Sequence, residues 1–201
     1  MRLRAWIVLA VCSLSALAAV AAERAITKQV ELNASLDQAW EAWTTREGIT
    51  SFLAPDAKVE ARPGGTFSIH FNPYAPSGLK GADDMRFMAL QPKKMLSFDW
   101  NAPPHLPEAR AQRTLVVLRF EPVSDRLTRL SLHHTGWGDG GEWDKAYHYF
   151  DAAWGNVLAN LKKRFDSGPI DWSDWMARMK TLQEAADRKA AAAAAPAASR
   201  P

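Results

Sequence analysis

The sequence predicts an α+β domain with an antiparallel sheet, one long C-terminal helix and two short helices after the first strand. Three observations carry this. Residues 56–137 alternate apolar and polar side chains and are cut by short turns into successive hairpins. Residues 141–165 repeat apolar side chains every three or four positions, and residues 26–53 read as one strand followed by two small helical segments. Antiparallel order follows from turn length, because parallel neighbours need crossovers of about a dozen residues or more.

Residues 26–33 place Ile26, Val30 and Leu32 on one parity, as a half-buried strand requires. Ser35 and Gln38 form a capping box, and Leu36, Ala39, Trp40 and Trp43 follow at helical spacing. A second short helix over 47–53 ends before Pro55. Pro63-Gly64 separates strands at 58–62 and 65–71, in which Phe67, Ile69 and Phe71 alternate with Thr66, Ser68 and His70. Two more hairpins pair 85–90 with 94–100 and 113–122 with 126–137. Two longer loops containing Pro, at 72–84 and 101–112, fall at strand ends, where binding rims are built. In the long helix Trp143, Tyr147, Phe150, Trp154, Val157, Leu161 and Phe165 make one stripe, and Gly168-Pro169 stops it. Trp172, Trp175, Met176, Met179 and Leu182 mark a last amphipathic helix that fades into an alanine tract.

The first 22 residues differ in kind. Arg2 and Arg4 precede an uncharged apolar stretch, and Val20-Ala21-Ala22 is a small-residue exit, the layout of a secretory signal peptide. The stretch 5–22 stands at the short end of the roughly 17–25 residues that a retained anchor needs. The expected division is therefore a leader over 1–22, a domain over 23–168 and a C-terminal helix with an alanine-rich tail over 169–201. Cleavage after Ala22 makes the product periplasmic or secreted and free of the membrane. The 25 basic residues fall to 23 against 22 acidic ones when Arg2 and Arg4 leave, which excludes a nucleic-acid footprint. The single cysteine, Cys12, leaves too, so neither disulfide nor thiol chemistry is expected in the exported chain.

The segments Ala39-Trp40-Glu41-Ala42-Trp43-Thr44, Arg62-Pro63-Gly64-Gly65-Thr66-Phe67, Leu96-Ser97-Phe98-Asp99-Trp100 and Gly141-Glu142-Trp143 through Trp154 to Leu161 carry a resemblance. They are similar to the family named after the C-terminal domain of the activator of the 90-kDa heat-shock chaperone's ATPase, within the START-like (SRPBCC) superfamily. The resemblance implies a helix-grip fold, a curved antiparallel sheet wrapped around the long C-terminal helix. Relatives in that superfamily bind lipids, sterols or polyketides, or act as cyclases. An exported copy could not meet a cytosolic ATP-dependent chaperone.

Strand parity nominates the walls of a cavity between sheet and long helix: Phe67, Ile69, Phe71, Phe98, Trp100, Leu118, Phe120, Leu132 and His134, facing Tyr147, Phe150 and Trp154. His134 shares the inward parity of Leu132 and needs a partner there, whereas His70 falls on the outward, solvated parity. Gly136-x-Gly138-x-x-Gly141 lacks the following parallel strand of a dinucleotide unit and is read as a tight exit from the last strand. Asp144, His148 and Asp151 share one helical stripe, which is read as a solvated polar face rather than a metal site. No nucleophile elbow is present. The expectation is a monomer that binds a small apolar or amphipathic molecule, without cofactor, metal or assumed catalysis. Two alternatives stand beside it: a polyketide cyclase or aromatase using Asp99, His134 or Tyr147 as acid/base groups, and a protein-interaction module using the C-terminal helix.

Overall fold

In the computed structural model, which describes residues 23–194, the chain runs β1 (Ile26–Leu32), α1 (Leu36–Thr44), α2 (Arg46–Thr50), β2 (Asp56–Val59), β3 (Phe67–His70), β4 (Gly81–Ala82), β5 (Phe87–Gln91), β6 (Met95–Trp100), α3 (Pro107–Arg110), β7 (Thr114–Ser124), β8 (Leu127–Thr135), α4 (Gly141–Ser167) and α5 (Ser173–Ala194). The expected leader, 1–22, lies outside the described residues, as do 195–201.

Five strands form one antiparallel sheet in the order β1-β8-β7-β6-β5. The Pro63-Gly64 hairpin does not join it. β2 and β3 pair with the two-residue β4 in a separate three-stranded sheet, connected to the larger one through a Thr66–Arg86 bridge and the Phe67 to Met85 amide–carbonyl bond. The split follows from the backbone between β2 and β3. Glu60 N donates to Thr66 O and Gly65 N to Arg62 O within the turn, and at β5 the turn meets only Phe87, through Gly64 N to Phe87 O and Phe87 N to Gly65 O. β4 sits within the 72–84 loop and carries too few residues for an alternation to show.

The capping box at Ser35 forms as read: Gln38 N donates to Ser35 Oγ, and Ser35 N donates to Gln38 Oε1. α1 buries Ala39, Ala42 and Trp43. α2 crosses it so closely that a Cβ at Gly48 would stand 2.3 Å from Glu41 O, which only glycine avoids.

α4 runs alongside β1 in the same direction. Arg24 pairs with Asp144, Lys28 with Asp151, and Asn33 bonds Asp166. The nine residue steps from 24 to 33 span about 30 Å of strand, and the 22 steps from 144 to 166 about 33 Å of helix, so the two keep step over this length. The Asp144–Asp151 stripe is therefore an ion-paired seam to β1. The helix buries Ala146, Phe150, Trp154, Leu158 and Leu161, which turns Leu158 inward and leaves Val157 half-exposed. At the strand exit, Gly136, Gly140 and Gly141 all have positive φ, and Gly138 lies flat against the Trp143 indole.

Trp43, Phe52, Phe67, Phe87 and Phe98 pack as a continuous ring cluster between sheet and helices, with Trp43 stacked on Phe98 at 6.2 Å. Each ring fully buried in that layer contributes about 2–3 kcal/mol of apolar burial. Among the described residues, no helix is long and apolar enough to cross a membrane.

Candidate functional site

The cavity opens at one end of the core, between the two rim loops. Its volume is about 390 Å³. The 72–84 loop and β4 contribute Asn72, Leu79, Lys80, Gly81 and Ala82, and the 101–112 loop contributes the run Asn101, Ala102, Pro103, Pro104 and His105. α4 supplies Tyr149, Phe150, Ala153, Trp154 and Val157, while α5 closes one side with Trp175 and Met179.

Of the residues nominated from parity, Phe71, Trp100, Phe150 and Trp154 line this space. Phe67, Ile69, Phe98, Leu118 and Leu132 are fully buried in the packed layer below it. Phe120 packs edge-on against Trp40 at the far side. Tyr147 leaves the interior: its hydroxyl donates to Ala25 O, and Arg24 lies over its ring at 4.3 Å. The missed residues Tyr149 and Ala153 each immediately precede a nominated position on α4, and Trp175 and Met179 belong to the stripe read from the last helix.

His134 does not line the cavity; it bonds the indole of one residue that does and, through Thr114, the backbone of another. Its Nδ1 accepts from Trp154 Nε1 at 2.8 Å, so in the neutral ring the proton sits on Nε2 and is donated to Thr114 Oγ1 at 2.7 Å. Thr114 Oγ1 in turn donates to Trp100 O. The chain Trp154–His134–Thr114–Trp100 links α4 to β8, β7 and the end of β6, where the two indoles meet at 5.5 Å. Burial, with a smaller push from the neighbouring His133 charge, lowers the His134 pKa to about 3 and keeps the ring neutral.

Arg110 fastens the two rims. From α3 it donates to Ala102 O of its own loop and to Gly78 O, Gly81 O and the Asp83 carboxylate of the other. Burial lowers its pKa from the ordinary arginine value, Asp83 acting against that and the nearby Arg113 charge with it. Trp175 Nε1 donates to Phe71 O, and Trp172 Nε1 to Thr50 O, so the tryptophans at the start of α5 are bonded to the domain's own backbone.

His70 corrects its expectation. It is only 6% exposed, and its Nδ1 lies 2.8 Å from Asp56 Oδ2, with Arg46 on the other carboxylate oxygen. Both faces of β3 are covered, so alternation there does not separate solvent from core. Burial alone would raise the Asp56 pKa, but bonds from His70 and Arg46 outweigh it and lower it.

The acid/base groups on which an enzyme reading rests do not converge. Asp99 accepts from Arg86 N and faces Arg113, Tyr147 bonds Ala25, and His134 is sealed in the core; none lines the cavity. Among the described residues, no group of three or more His, Cys, Asp or Glu side chains stands together as a metal site.

A curved five-stranded antiparallel sheet gripping a long C-terminal helix, with an apolar pocket open at one end, defines a helix-grip domain. The chain belongs to the family described as Activator of Hsp90 ATPase homolog 1-like protein, which matches residues 33–166. Among solved structures it is similar to a protein from Mesorhizobium loti at 20% identity and TM-score 0.58, covering 73% of this chain and 100% of that one. It is similar to the Aha1 dimer from Colwellia psychrerythraea at 20% identity and TM-score 0.56, covering 72% and 98% respectively. It is also similar to CalU16 from Micromonospora echinospora at 21% identity and TM-score 0.54, covering 82% and 86%. At these identities the likeness is one of fold. No curated protein matches the chain.

Proposed function

We propose that this domain is an exported, monomeric carrier that takes up a small apolar or amphipathic molecule in the cavity between the rim loops, α4 and α5, and releases it unchanged. The single observation behind the reading is the cavity itself. Its walls are mostly aromatic and aliphatic, and its 390 Å³ lies in the roughly 300–1,000 Å³ range that small-molecule sites occupy. The His134 network favours binding over chemistry, because it spends this buried imidazole on holding the Trp154 indole and, through Thr114, the Trp100 backbone. Export rests on the residue pattern of 1–22, and it separates this chain from any cytosolic chaperone partner.

Native mass spectrometry of the protein purified from its own host tests the carrier reading. The expected result is a monomer carrying a co-purifying small molecule that leaves under collisional activation. A preparation that is always empty, and whose melting temperature is moved by no member of a lipid and aromatic-compound panel, contradicts it.

A further inference from the structure

Resting on that carrier reading, we infer that the guest is a planar aromatic molecule bearing one carboxylate, and that Lys80 receives the carboxylate at the cavity mouth. Three features converge on this class.

The first is the wall. Phe71, Trp100, Tyr149, Phe150, Trp154 and Trp175 all contribute to one cavity. Trp100 and Trp154 meet at a 48° tilt and Phe150 lies nearly parallel to Trp154 at 28°, which leaves ring faces and edges turned at different angles toward the space. A flat ring gains from such faces and edges beyond its buried area, whereas a flexible alkyl chain gains only the area.

The second is charge. No lining residue is acidic, and Lys80 is the one lysine or arginine in the wall. It is half-buried, and no carboxylate lies within ion-pair distance of it among the described residues. The cations of the neighbouring rim are already matched, Arg110 to Asp83 and Arg113 to Asp99. An ammonium with no carboxylate partner beside an otherwise uncharged wall is placed to receive an anionic oxygen from the guest through a charge-assisted hydrogen bond.

The third is size. A cavity of about 390 Å³ falls near the lower end of the roughly 300–1,000 Å³ range for small-molecule pockets. It suits two or three fused rings and is too small for a two-chain lipid.

The test uses N-phenyl-1-naphthylamine, a neutral fluorescent probe, displaced by 1-naphthoate or by its neutral counterpart 1-naphthamide, with the protein from residue 23 onward. The wild type is expected to bind the acid about tenfold more tightly than the amide. Lys80→Gln should bring the two to near equality, and Lys80→Arg should restore the preference. Equal affinity of acid and amide in the wild type, or an acid preference that survives in Lys80→Gln, overturns the ligand class while probe binding keeps the cavity reading intact. Failure of the wild type to bind the probe, the acid or the amide overturns both.

Discussion

At the scale of single residues, one proton on His134 decides whether the cavity wall keeps its shape. The ring accepts at Nδ1 and donates at Nε2, so protonation would set an N–H against the Trp154 N–H. With a folded pKa of about 3 against about 6.5 in the unfolded chain, the unfolded state takes up a proton that the folded state refuses. His134 therefore contributes full stability above pH 6.5 and loses it progressively as the pH falls toward 3. The loss is at most about 1.4 kcal/mol per pH unit inside that window. Denaturant unfolding of wild type and His134→Gln between pH 7 and pH 4 should show a shallower slope in the variant, and identical slopes would contradict the network. His134→Ala at pH 7 should cost about 3 kcal/mol, because it leaves the Trp154 and Thr114 groups unpartnered beside a void. Arg110→Met should cost about 2–4 kcal/mol for the same kind of reason, with a buried Asp83 and three backbone carbonyls losing their donor. Hydrogen exchange over 78–83 should speed up in that variant, and unchanged protection would remove Arg110 as the rim fastener.

At the scale of elements, the long helix and the last helix are held differently. α4 buries five side chains, whereas α5 buries none and rests on the domain through Trp172, Trp175 and the Asn72–Gln183 bond. Ending the chain after Gly168 should leave a folded domain by circular dichroism, with ligand affinity lowered because Trp175 and Met179 leave the cavity wall. Loss of the fold would show instead that α5 is part of the core. The elements themselves were legible in the residues. Ser35 with Gln38 marks the start of α1, the Trp143-to-Phe165 stripe marks α4, and alternation marks β5 to β8. Strand grouping was not legible, since the bend at Glu60–Thr66 that splits off the small sheet depends on backbone bonds rather than on side-chain parity. Depth along the strand was not legible either. Parity places Phe67, Ile69 and Phe71 on one face, but only Phe71, past the end of β3, reaches the cavity, because inner positions meet neighbours on every side. Trp100 reaches it for the same reason, as the last residue of β6.

At the scale of the whole molecule, the buried His134 imidazole and the rim arginine Arg110 brace the pocket, and the proposed export is tested on the protein's N-terminus. Protein recovered from the periplasm or medium should begin at Glu23 by intact mass, and a mature protein that retains Met1 in the cytosol would contradict export. Glu23 is already engaged with Thr135 and with Gly136 N, so a chain starting there keeps its first residue tied to the strand exit. The most direct measurement of the central claim fills the space. Ala153 faces the cavity from α4, and Ala153→Trp places an indole where a guest would sit. Titration with N-phenyl-1-naphthylamine should give saturable one-to-one fluorescence enhancement in the wild type and none in the folded Ala153→Trp protein. No saturable binding in the wild type, or equal binding in both proteins, would contradict the claim that a small molecule occupies the opening between the rim loops and α4.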